Sequence, residues 1–137
     1  MALLDVNGLV ALAWDSHIHH ARMREWFTAN AAQGWATCPI VESGFVRVSS
    51  NAKALPHAVT VSDARRVLAA LRNVAGHQFV SNDVSLCDPD VPVIHGYRQV
   101  TDVVLLVVAR RHGIRLVTFD RGLAEIDTTG DVDLLTV

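Results

Sequence analysis

A chain of 137 residues, half of them hydrophobic and 19% charged, has enough apolar material for one folded core and is neither disordered nor staple-dependent by composition. Its net charge of −2 supplies no general attraction to polyanions, and its two cysteines, with no CxxC spacing, suggest no disulfide framework. The longest apolar stretch in a helical pattern, Val103 to Ala109, falls far short of the ~20 residues of a membrane crossing. The opening run MALLDVNGLVAL lacks a basic leader and carries Asp5 inside it, so it reads as a buried strand and not a signal peptide; a reduced, cytoplasmic protein of one domain, 1–137, is expected.

In chain order, Ala2–Val6 is an apolar strand and Asn7 caps a first helix over Gly8–Trp14. Ser16 opens a second helix with Ile18, Ala21, Trp26 and Phe27 on its apolar face, and Gly34 interrupts it. Trp35–Cys38 is a second strand. Pro39 stands where a first helical residue tolerates proline, and Pro39–Ser50 follows as a helix with Glu42 in its first turn. Asn51–Thr60 is a loop. Ser62 caps a helix bearing Val67, Leu68, Leu71 and Val74, stopped by Gly76. His77–Val80 is a third strand, and Ser81–Gly96, with Pro89 and Pro92, is irregular. Thr101–His112 is a helix whose VVLLVVA run is apolar on every side, which marks it as buried. Arg115–Thr118 and Asp133–Thr136 complete the strands. Strands alternating with helices predict an α/β, three-layer sandwich: a mainly parallel, about five-stranded central sheet flanked by helices.

In such sheets ligands bind beyond the carboxyl ends of the strands. Four acids, far apart in sequence, are predicted there. Asp5 closes the first strand, Glu42 follows the second, Asp102 starts the buried helix, and Asp120 follows the fourth strand in LVTFD. Two like charges ~4 Å apart repel by about 4 kcal/mol at an effective dielectric near 20. Four together would consume much of a domain's net stability of ~5–15 kcal/mol unless some are protonated or a cation is bound. Oxygen donors without His or Cys select Mg²⁺ or Mn²⁺ over zinc. With these four set aside, ten acids face 12 basic residues, 11 of them Arg, the side chain best suited to bidentate phosphate contact. Arg47, one and a half turns beyond Glu42, and Arg98 and Arg121 are the candidates for such contact.

Other polar groups have plainer readings. His17 and His20 share a helix face, but no acid or Cys completes a zinc set. Trp14, Trp26 and Trp35 are core anchors. Asp83, Asp88 and Asp90 are solvated caps in a turn-rich segment, and Asp131 and Asp133 are turn or edge residues.

The segments LLDVNGLVAL, CPIVESGFVRV, RQVTDVVLLVVARRHG and LVTFDRGL, in that order and spanning essentially the whole chain, resemble the PIN-domain superfamily and most closely its VapC toxins; HIHHARMREWF resembles one subgroup of these. The resemblance implies a PIN-like fold and an endoribonuclease. It also implies that Asp5, Glu42, Asp102 and Asp120 are catalytic metal-binding acids, with Asn7 and Thr118 as polar neighbours. The implied partners are an RNA substrate, a second copy of the chain in a homodimer, and a cognate VapB-type antitoxin. Two other readings remain at this point. DVNGL is similar to the nucleophile turn of haloacid-dehalogenase-like phosphatases, although Asn7 stands where the general acid belongs and Lys53 is the only lysine; a receiver module fails for the same lack of a paired acid and lysine. A PIN fold acting only as a binding module is the other alternative.

Overall fold

The computed structural model describes residues 1–136. Its element order is β1 (Ala2–Leu4), α1 (Val6–Ala13), α2 (His20–Asn30), β2 (Trp35–Thr37), α3 (Pro39–Ser49), α4 (Val61–Arg72), β3 (His77–Phe79), α5 (Val100–Arg111), β4 (Arg115–Thr118), α6 (Arg121–Ile126) and β5 (Val132–Leu134). The five strands form one sheet in the order β3-β2-β1-β4-β5, and every pairing is parallel. The expected α/β layout is present, with the sheet wholly rather than mainly parallel.

Connectivity follows from the handedness of parallel crossovers. Going from β1 through β2 to β3, the chain moves one way along the sheet, so α1, α2, α3 and α4 share a face, where α1 packs on both α2 and α3, and α3 on α4. The return from β3 to β4 places α5 on the opposite face, where α6 joins it. The strand order therefore reverses at β1, between β2 and β4. That reversal opens a crevice beyond the strand ends.

The core sits on both faces of β1. Leu3, Leu4, Leu9, Trp35, Phe45, Leu106 and Leu116 are all fully buried, each worth about 1.5–3 kcal/mol or more of apolar transfer. On α5, Val103 through Ala109 are buried without a break. The sheet covers one side of this helix. The Ser81–Gly96 connection is tied to its end, where Arg111 binds Asp88 and Asp90 at 2.8 and 2.7 Å and His112 Nε2 meets the Ser81 carbonyl at 2.9 Å. Asp83 also pairs with Arg111, at 3.7 Å. The three aspartates read as solvated caps are thus a clamp on one arginine, a long-range pairing that local spacing could not reveal.

Two glycines are needed for close approach. A Cβ on Gly44 would lie 2.6 Å from Val6 Cγ2, so the α1–α3 contact depends on its absence. Gly76 has φ +91°, and a Cβ there would lie 2.3 Å from the Ala31 carbonyl oxygen.

Several boundaries differ from the sequence reading. Asp5, not Asn7, caps α1, and Val6 is already helical. The second helix starts at His20 without a side-chain cap; Ile18 is 84% exposed whereas Met23 is fully buried. Thr60 rather than Ser62 caps α4, accepting from Asp63 N at 3.0 Å. A 3-10 turn, Tyr97–Gln99, leads into α5. Helix α6, in a stretch to which the sequence assigns no element, is six residues long and capped by Asp120. Trp26 and Trp35 are buried as anchors.

Candidate metal centre

The reversal point brings together residues from three elements. Leu4 pairs with Val117 across β1 and β4, so the residues that follow these strands emerge side by side. Asp5 is only 5% exposed. Its Oδ1 accepts from Gly8 N at 2.6 Å, and its Oδ2 accepts from the Thr118 hydroxyl at 2.5 Å. The same hydroxyl oxygen accepts from Asp120 N at 2.9 Å, and Asp120 Oδ1 accepts from Gly122 N at 2.8 Å as the cap of α6. Thr118 thereby ties Asp5 to the backbone that presents Asp120. Asp102 enters from the first turn of α5. One carboxylate therefore serves two purposes, since Asp5 both caps a helix and faces the crevice.

The electrostatics of the trio are unbalanced. Burial pushes the Asp5 carboxyl up to about 6, against the lowering effect of its bonds to Thr118 and Gly8, and the Asp120 charge adds to the rise. Asp102 is also pushed up to about 6, by burial first, then by the charges of Asp120 and Asp5 and a hydrogen bond with Asp120. Among the described residues no Arg, Lys or His forms an ion pair with any of the three. Among those residues no three His, Cys, Asp or Glu side chains are grouped closely enough to hold a metal ion by themselves. A loose group of oxygen donors with unneutralised charge fits a hydrated hard cation, because Mg²⁺ keeps several waters and takes only one or two carboxylates directly.

Glu42 belongs to a neighbouring network. Its Oε2 accepts from the Thr37 hydroxyl at 2.6 Å and its Oε1 meets Arg72 Nη1 at 3.4 Å. Thr37 Oγ1 also lies 2.8 Å from His77 Nε2, and Arg72 stacks over the Phe79 ring at 4.7 Å. The fourth predicted acid is thus engaged by a threonine and an arginine on the β2–β3 side. Thr37 could have been noticed as the last residue of its strand, by analogy with Thr118. Nothing local marked Arg72, which lies 30 residues from Glu42.

The supporting residues separate in the same way. Thr118 holds Asp5 directly, and Asn7 lines a cleft with Asp120. Arg47 lines a second cleft of about 370 Å³ with Val6, Ser43 and Thr101, next in sequence to Asp5, Glu42 and Asp102. Arg121 immediately follows Asp120 at the start of α6. Arg98 folds against Tyr97, with Nε 3.3 Å from the phenol oxygen. The histidines form no metal set: His20 Nδ1 is 2.7 Å from the Ala11 carbonyl oxygen, and His17 Nδ1 accepts from His19 N at 3.0 Å.

A parallel sheet reversing at an acidic crevice describes a large class of hydrolases and phosphotransfer proteins. Within it, the family model for the PIN domain matches residues 2–128. The chain is 68% identical to Ribonuclease VapC38 of Mycobacterium tuberculosis, with 100% of this chain and 99% of that protein covered. Ribonuclease VapC39 of the same organism is 45% identical over 98% of this chain and 99% of its own length, and Ribonuclease VapC44 is 42% identical over 90% and 88%. The chain belongs to the PIN-domain family.

Proposed function

We propose that this protein is an endoribonuclease of the VapC kind, in which a divalent cation held by Asp5, Asp102 and Asp120 assists hydrolysis of an RNA phosphodiester bond. The observation that carries the reading is the uncompensated trio: two carboxyls lifted to about 6 with no basic partner, at the crevice where such sheets bind ligands. The full-length similarity to proteins named ribonucleases supports RNA as the substrate.

Asp5 and Asp102 are the principal ligands in this reading, and Asp120 completes the set. Mg²⁺ or Mn²⁺ would neutralise their charge, lower the pKa of a bound water and stabilise negative charge on the phosphate oxygens. The chain's own part is to fix the donors. Gly8 N and the Thr118 hydroxyl hold the two Asp5 oxygens in place, and Thr118 sets the distance from Asp5 to Asp120. Glu42 acts from the flank, where Thr37 and Arg72 orient it to hold a proton or a water beside the trio. Arg47, in its cleft with Ser43 and Thr101, is placed to bind a phosphate of the substrate strand; Arg98 and Arg121 are secondary candidates.

The wider assignment is the toxin of a toxin–antitoxin pair, a homodimer neutralised by a VapB-type antitoxin and acting in the cytoplasm. It rests on the family likeness, and no described helix is long and apolar enough to cross a membrane. Incubation of the purified chain with total RNA, with and without Mg²⁺ or Mn²⁺, and mapping of the new ends tests the reaction. Cleavage that persists in excess chelator would overturn the metal role. Rescue of growth by co-expression of a small upstream reading frame would test the antitoxin.

A further inference from the structure

Beside the trio lies a cleft of about 340 Å³ that shares Asp120 with it and is lined also by Asn7, His17, Ile18, His19 and Phe119. The volume is within the ~300–1,000 Å³ of small-ligand sites. Its aromatic wall comes from two distant parts of the chain. Phe119 follows Thr118 at the end of β4, and His19 precedes α2. Their rings are stacked with centroids 4.4 Å apart and planes 15° from parallel.

Apart from its ring contacts, the His19 side chain has no partner among the described residues. It stands at the N-cap of α2 but makes no side-chain capping bond, and its Nδ1 is buried without a hydrogen-bond partner. Leaving a buried ring nitrogen unbonded costs free energy. The contrast is with His20 next to it, whose Nδ1 meets a backbone carbonyl. What His19 contributes is a ring face, laid flat on Phe119 a few residues from the metal ligands.

We infer that this cleft receives one unpaired nucleobase adjacent to the scissile phosphate, stacked against the His19–Phe119 pair with the Asn7 amide at its hydrogen-bonding edge. The inference rests on the ribonuclease reading above. The lining favours a base over the backbone: the stacked rings of His19 and Phe119 offer a planar aromatic wall, and no Arg or Lys lines the cleft to hold a phosphate. A base within a duplex is already stacked on its neighbours, so the site requires a single-stranded or looped target. The amide of Asn7 can both donate and accept, so it reads the edge of the base while the rings accept any base.

The test uses a short single-stranded RNA that the wild-type chain cuts at one mapped bond, with 2-aminopurine placed at successive positions. This adenine analogue loses fluorescence when it stacks. On the Asp5→Asn variant with Mg²⁺, quenching is expected at one position next to the cut and nowhere else. His19→Ala and Phe119→Leu should each relieve that quenching and, in the otherwise wild-type chain, raise KM by roughly tenfold with kcat retained. His19→Ala removes no capping bond, so it stays informative if Phe119→Leu destabilises the fold. Unchanged quenching and KM in both variants, with RNA still cut, would overturn the base site alone. Absence of any metal-dependent cutting by the wild-type chain would overturn the ribonuclease reading, and the base site with it.

Discussion

Asp5 and Asp120, beyond the ends of β1 and β4, and Asp102, in the first turn of α5, act on one another with no basic partner among the described residues, and burial lifts Asp5 and Asp102 to about 6. Just beyond α6, Asp127 is also buried, its side chain 4% exposed, yet it is held at about 2. Burial alone would raise Asp127 as well. Backbone N–H groups of Val132 and Thr129 and the Arg110 guanidinium at 2.9 Å outweigh it, and Arg110 reaches Asp131 at 3.1 Å too. The same side chain in the same fold is thus driven in opposite directions by what faces it. Where acids are paired, they fasten loops to the sheet. Where they are left unpaired, the fold forgoes stability, and that is where the proposed cation and chemistry are assigned.

The most severe way to break this contrast is Asp5→Asn. Asparagine keeps the cap of α1, so the fold should survive while Mg²⁺-dependent RNA cleavage falls by on the order of a hundredfold or more, the scale of losing one key electrostatic group. A rate within a few fold of wild type, measured on mapped RNA, would remove Asp5 from the reaction.

Arg110→Ala attacks the paired group and should do the reverse. It strands the buried Asp127 and should cost about 2–3 kcal/mol, less than the ~3–5 of a fully buried pair because Arg110 is 25% exposed. Denaturant melts should show the loss, and RNA cleavage at a temperature below the melt should be unchanged. The Asp127 contribution is present above the unfolded pKa, near 3.8, and fades as pH falls toward 2.

Asp5 carries the opposite pH sign. Its folded pKa of about 6 exceeds the unfolded 3.8, so the folded state holds the extra proton between those values. Stability from this group is full below about 4 and is lost as pH rises through 6. The loss is about 3 kcal/mol at ~1.4 kcal/mol per pKa unit. Asp5→Asn should therefore melt close to the wild-type chain at pH 4 and clearly above it at pH 7 in chelator, with Mg²⁺ narrowing the gap at pH 7. A gap independent of pH would mean that Asp5 is not strained by its charge. Thr118→Val, the smallest change, removes one hydroxyl that lowers the Asp5 pKa. It should move the acid limb of the pH–rate profile upward and reduce cleavage roughly tenfold, as loss of a group that orients a metal ligand commonly does.

The elements that were legible in the sequence are those with local signals. Pro39 started α3, the unbroken apolar run of α5 announced its burial, and Gly113, with φ +65°, follows the end of α5. Helix α4, by contrast, ends at Arg72 with Asn73 as its cap, short of the expected Gly76 stop. The errors at helix starts share one cause. Asn7, Ser16 and Ser62 are all competent caps by type, and which residue caps depends on where the strand or helix before it ends and the next helix docks, which packing decides. Helix α6 escaped notice because six residues are too few to show a period.

By itself, the sequence determined the fold class, the apolar layers and the identity of the acids that follow the strands, because these rest on periodicity and residue type along the chain. Only the tertiary structure decided which acids meet. Asp5 and Asp120 lie together because β1 and β4 are neighbours across more than a hundred residues of chain, and Thr118 bridges them. The same packing gave Arg110 to Asp127 and Arg111 to Asp88 and Asp90, and set Glu42 against Thr37 and Arg72. Charge compensation acts over a few ångströms in space, so no reading along the chain could tell a paired carboxylate from an unpaired one.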